Sequence, residues 1–295
     1  MNTQRTALVF SLIWMLAAGV TLADTAVDET RPLAADGRVE INNVAGSVDV
    51  VGWSGTEVHI TGTLGTNIED LEISSGGSRL EIVVKQARRS NRGASASLTV
   101  KMPRTADLEV ETVSAEITVD DVEGDLSLES VSGEIEVTGQ PRSVEAVSVS
   151  GDVRVASTSG RSQLESVSGN IVVGRAVGEL EADVVSGDID VEAGRLDSFE
   201  AETVSGSITC AAQPGGRARY SIESMSGTVE LVLPVDVNAD FEIETYSGSI
   251  SNQIGPEASR SDEYGPGKEL RFRAGSGGAR IEIESFSGNV RLRTE

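Results

Sequence analysis

The chain has 295 residues with 47 Asp and Glu against 24 Lys and Arg, a formal net charge of −23, one His and one Cys. Such a balance excludes nucleic acid as a partner, since that affinity depends on neutralising phosphates. One cysteine excludes an intramolecular disulfide, and no Cys/His cluster has zinc spacing.

Residues 1–23 read as a secretory signal, with Arg5 in a short basic region, an apolar run from Ala7 to Val20 and a small-residue cut after Ala23. The apolar core is too short and too early for a spanning helix, and no second such segment follows. A periplasmic or secreted protein that is not integral to the membrane is expected. Residues 24–35 follow as an N-terminal tail. Residues 36–105 read as an irregular N-terminal β region and cap, with strands at Glu57–Thr61, Leu71–Ile73, Leu80–Val84 and Ser97–Met102. A hairpin is expected around Ser74–Ser78.

From residue 106 onward the chain repeats itself. Nine triplets begin at Val113, Val131, Val149, Val167, Val185, Val204, Met225, Tyr246 and Phe286, with steps of 18 residues at first, then 19, 21, 21 and 40. Serine fills the second place every time and glycine the third, except at Ala115. A degenerate copy stands upstream at Val44-Ala45-Gly46. Counting from the first residue of each triplet, the positions five and three before it are apolar almost throughout, from Leu108 and Val110 to Ile281 and Ile283. The position four after it is β-branched in every copy. Apolar residues two apart share one face of a strand. Each copy is therefore two half-buried strands joined by a Ser-Gly corner, where glycine suits a tight reversal and serine bonds nearby backbone.

Two short strands cannot bury their own apolar face, whereas stacked copies bury a continuous one. The expected fold is all-β, a parallel β-solenoid (β-helix) of about nine two-strand coils over 106–295, right-handed by the usual crossover rule. Residues 252–280 interrupt it as an insertion, with a loop over Gly255–Gly267 leading into a strand at Glu269–Arg273. A left-handed hexapeptide helix fails because Asp125, Ser143, Arg161 and Glu179 stand where an inward aliphatic is required. Cys210 falls in a column otherwise filled by residues such as Val119, Val137 and Leu231, and is expected as a buried thiol.

Charge is concentrated: between Ala106 and Ile250, 29 Asp and Glu stand against 7 Arg and no Lys. Two before each triplet come Glu111, Glu129, Val147, Glu165, Asp183, Glu202, Glu223, Glu244 and Glu284, an outward acidic stripe and the candidate interaction face. Neighbouring carboxylates about 5 Å apart repel by only about 1 kcal/mol in water, so the stripe stands without a metal. It serves as a solvated face, or attracts divalent cations weakly; no calcium-loop motif appears. Basic residues gather at the other end, where Arg271, Arg273, Arg291 and Arg293 guard a terminal edge strand or dock an anionic partner. Arg88, Arg89 and Arg92 form a second basic loop.

His59 lies in an alternating strand without a nucleophile elbow, and a repeated serine has no base beside it. Carboxylate pairs at glycosidase separations arise automatically along the stripe, so they carry no information. Phe199, Tyr220, Phe241, Tyr246 and Phe286 are assigned to inward columns, leaving Trp53, Tyr264 and Phe272 for exposure.

The recurrent pattern in LSLESVSGEIEV (126–137) and FEIETYSGSI (241–250), preceded by a strand ending at Met102-Pro103, resembles the bacterial putative-adhesin family, a domain of unknown function with β-strand repeats. The similarity covers about residues 36–295. It implies an exported envelope protein with a β-helical domain, no known cofactor and no established catalytic residues. The expected function is non-catalytic: a monomeric binding, adhesin-like or scaffolding module whose partner is an envelope protein or polysaccharide. The alternative is a carbohydrate-active β-helix enzyme acting on an envelope or extracellular polysaccharide.

Overall fold

The computed structural model describes residues 24–87, 94–261 and 265–295. The expected signal segment, the loop of Arg88, Arg89 and Arg92, and Tyr264 lie outside the described residues. Within them all regular structure is strand. The N-terminal part holds β1 (Thr25–Pro32), β2 (Arg38–Trp53), β3 (Glu57–Leu64), β4 (Ile68–Ser75), β5 (Arg79–Gln86) and β6 (Ala96–Pro103). The regular repeats hold β7 (Asp107–Asp120), β8 (Asp125–Ser130), β9 (Ile135–Val137), β10 (Ser143–Ser148), β11 (Val153–Thr158), β12 (Arg161–Ser166), β13 (Ile171–Ala176) and β14 (Gly178–Ser186). Then come β15 (Ile189–Ser205), β16 (Ile208–Leu233), β17 (Ala239–Asn252), β18 (Ser259–Arg260), β19 (Lys268–Ala274) and β20 (Ala279–Thr294).

The 18-residue period becomes an in-register parallel stack. Leu126, Val144, Ser162 and Leu180 are successive partners on β8, β10, β12 and β14, while Ile135, Val153, Ile171 and Ile189 are partners on β9, β11, β13 and β15. Both columns point inward, and one continuous apolar core runs from Leu33 to Leu292. Cys210 is fully buried in it, which pushes its thiol up to about 12. Phe199 and Tyr220 meet there edge to face with centroids 5.6 Å apart.

The corner explains the triplet. A Cβ added at Gly151 would lie 2.0 Å from the Gly133 carbonyl oxygen, and at Gly206 1.9 Å from that of Gly187. Each glycine corner thus rests its Cα on the carbonyl of the corner beneath, and only the first corner of the repeat, with Ala115, carries a Cβ. Positive φ is a lesser requirement than the sequence suggests: Gly187, Gly206 and Gly227 have it, but Gly133, Gly151 and Gly169 do not. In those three corners the glycine N–H donates to the hydroxyl three residues earlier, to Ser130 at 2.7 Å, Ser148 at 2.8 Å and Ser166 at 2.9 Å. Beside the corner a polar ladder forms, in which Asn170 N–H donates to Asp152, Asp188 N–H to Asn170 and Ser207 N–H to Asp188.

Both ends differ from expectation. The Val44 copy is a true coil, because β2 pairs in parallel with β7 and sets Ala45 opposite Ser114. β5 and β6 extend that parallel stack beyond β2, so this region is not irregular throughout. Antiparallel β4 and β3 close it, joined to the stack through a β4–β5 hairpin at the expected place. Residues 25–32, expected as tail, form β1 on the edge of β3, with Val27 packed on the core. At the other end β20 inserts between β16 and β17, so the last repeat in sequence is not the last in space. The 252–280 insertion makes this possible: antiparallel β19 covers β17, with Phe272 stacked on Phe241 at 4.6 Å, and the chain then returns to the slot.

Gly151→Ala is expected to destabilise the protein by about 3 kcal/mol through overpacking. Gly216→Ala, whose Cβ would meet nothing within 4 Å, should be silent. Chemical denaturation of both variants checks this, and equal stabilities would contradict the corner contact.

Candidate functional site

Strand alternation makes three columns at the end of each first strand. The residues one before the triplet are buried, and all are hydroxyls except Val184, among them Ser148, Ser166, Thr203 and Ser224. Those two before it, and the triplet's own first residue, therefore share the outward face. Assigning Tyr246 and Phe286 to inward columns is corrected by this parity: they are 61% and 59% exposed and stack on each other at 5.0 Å. Met225 is 58% exposed, and Val113 to Val204 are exposed in the same column. Because β20 lies between β16 and β17, the order along this ladder is Met225, Phe286, Tyr246.

Two parallel ladders result, one of carboxylates and one of apolar side chains, with the buried hydroxyl column beneath. Between them runs a groove of about 690 Å³, from Val149 and Val147 to Tyr246 and Glu244, closed at its far end by Ser261 and Lys268. All eight acidic residues named from sequence lie on one ladder, in register across neighbouring coils. Seven of them have no ion pair among the described residues; Glu244 accepts from Arg271 at 2.6 Å. Neither group of three metal-ligating side chains nor a helix able to span a membrane occurs among the described residues.

The basic residues separate. Arg271 and Arg273 lie on β19, the strand covering β17, where Arg273 pairs with Asp240 at 2.6 Å. Arg291 and Arg293 lie on β20 between two strands, and both reach Glu230, at 3.8 and 2.7 Å. The edge-guard reading is therefore corrected for Arg291 and Arg293, because the insertion moved their strand inside. Trp53 is partly buried against His59 at 4.9 Å, and its indole donates to the Glu57 carbonyl.

The profile of the Toastrack DUF4097 family matches residues 19–216 and again 186–293. The chain belongs to this family. No curated protein matches its sequence. This Toastrack chain is similar to solved structures described as a putative adhesin from Bacteroides fragilis (12% identity, 93% of this chain and 100% of that one, TM-score 0.44) and a putative adhesin from Parabacteroides distasonis (12%, 91% and 97%, 0.44). A third, a putative lipid binding protein from Parabacteroides distasonis, is 11% identical over 90% of this chain and 96% of that one, with a TM-score of 0.28.

Asp183 is the short residue of the Toastrack carboxylate ladder. One of its oxygens is buried without a hydrogen-bond partner among the described residues. Burial first, then the charges of Glu202, Glu181, Glu165 and Glu200, push its carboxyl up to about 6. A raised carboxyl binds its proton more tightly folded than unfolded, so stability is greatest below the unfolded value and falls as pH rises through 6. The side chain is partly exposed, and solvent screening leaves a cost of about 1 kcal/mol at neutral pH. Asp183→Asn should raise the melting temperature at pH 7.5 and have no effect at pH 4. An equal gain at both pH values would show that ionisation is not the cause.

Proposed function

We propose that this Toastrack chain is an exported, non-catalytic β-solenoid of the cell envelope, a monomeric binding or scaffolding module. Its contact surface is the groove between the carboxylate and apolar ladders, and its partner an envelope protein or polysaccharide. The observation that carries this reading is the apolar ladder: folded monomers seldom leave a contiguous run of large apolar side chains in water unless a partner covers it. Here Met225, Phe286 and Tyr246 are each more than half exposed in adjacent coils, on a fold whose other apolar columns are buried. The basic strand β19 is a second, smaller contact at the end of the groove.

One observation favours a carbohydrate-active enzyme as the second reading. The Asp183 carboxyl, pushed up to about 6, stands in register with Glu165 and Glu202 on the neighbouring coils, and a carboxyl raised in this way can serve as the general acid of a catalytic pair.

A photo-crosslinking residue placed at Val185 or Met225 in living cells should yield a discrete adduct, whereas one at exposed Glu136 on β9 should not. Identical patterns at all three positions would remove the groove as the contact surface. Release of reducing ends from envelope polysaccharide, lost in Asp183→Asn, would instead establish the enzyme.

A further inference from the structure

Resting on the reading of the groove as a contact surface, we infer that its occupant is a cationic amphipathic helix, one side apolar and the other rich in Lys or Arg. A ligand between these ladders meets valines, Met225, Phe286 and Tyr246 on one side and Glu165, Asp183, Glu202, Glu223 and Glu284 on the other. Among the described residues none of those five carboxylates has an ion pair, and Lys268 is the only basic residue lining the groove. The unpartnered Asp183 oxygen is an acceptor without a donor. A ligand with an apolar edge and a cationic edge satisfies both walls at once.

The same charge argues against other occupants. A second copy would bring an identical acidic ladder, and an anionic lipid surface would be repelled. A neutral glycan could stack on Tyr246 and Phe286 but would leave the carboxylates uncompensated.

Length and pitch select the helix. From the Val149 coil to the Tyr246 coil there are six inter-strand steps of about 4.8 Å, making the groove about 29 Å long. A helix of about 19 residues has that length. Like-facing side chains recur about every 5.4 Å along a helix and about every 6.7 Å along an extended strand. The helix follows the ladder spacing more closely. The apolar wall also grows from valine to Met225, Phe286 and Tyr246, so the bulkier ligand side chains belong at the valine end.

The test uses a fluorescein-labelled Lys/Leu peptide of about 19 residues, with leucines on one helical face, followed by anisotropy over a salt series. Saturable one-to-one binding is expected. Glu202→Gln with Glu223→Gln should weaken it about tenfold and flatten the salt dependence. Val185→Asp with Val204→Asp is the sharper variant, because it makes the face more acidic while removing apolar contact. Both positions are nearly half exposed, so the fold should hold. A loss of about tenfold or more supports the groove; a gain would show diffuse charge attraction and overturn the inference. Oligolysine of equal length binding as well as the Lys/Leu peptide would also overturn it. So would no binding of the Lys/Leu peptide. In that case a crosslink from Val185 in cells still stands for the broader binding reading, whereas its absence ends both.

Discussion

Everything in this protein depends on how closely one coil can rest upon the next. At the glycine corners, all but that of Ala115, the Cα sits against the carbonyl of the neighbouring coil, too close for any Cβ. That contact fixes the register, since a slip of one residue would bring a side chain into the gap and turn each inward column outward. With register fixed, the apolar columns merge into one core, and a chain with a single cysteine holds together without crosslinks. The corner hydroxyls add to this by accepting glycine N–H groups that would otherwise be buried unpaired.

Register also makes the surface. In a stacked solenoid any residue type repeated in a column becomes a ladder about 4.8 Å per rung, whatever its chemistry. The repeat thus converts a local Glu-x-Val pattern into two extended walls, one charged and one apolar. Carboxylates at this spacing repel weakly in water but more strongly where burial reduces screening, and Asp183 shows it: burial first, then its acidic neighbours, push its carboxyl up to about 6. Apolar side chains opposite have the reverse problem, water contact without a partner. A single amphipathic ligand relieves both.

Much of this was legible in the columns. Alternation placed Leu108, Val110 and Ile117 inside, Cys210 in the core, and the eight acidic residues on one outward ladder. The apolar wall was legible too, since Tyr246 and Phe286 stand two residues after outward glutamates and must share their face; their hydrophobicity masks that parity. The role of glycine was less accessible, because it depends on the coil beneath and not on local φ. Least accessible was the slot taken by β20. Nothing local distinguishes a coil that follows its predecessor from one that is threaded between two others, and only the antiparallel β19 with its Phe241–Phe272 stack shows why the end of the array was already occupied. Arg291 and Arg293 changed meaning with that threading, from an exposed edge to partners of Glu230.

Corner stacking sets the triplet residues in one rectilinear ladder. Electron–electron distances between spin labels at Val113 and, in turn, Val167, Val204 and Met225 test it most directly. The stack predicts separations between attachment points of about 14, 24 and 29 Å, rising by about 4.8 Å per coil. Distances that fail to rise with coil number would contradict the ladder, and with it the groove.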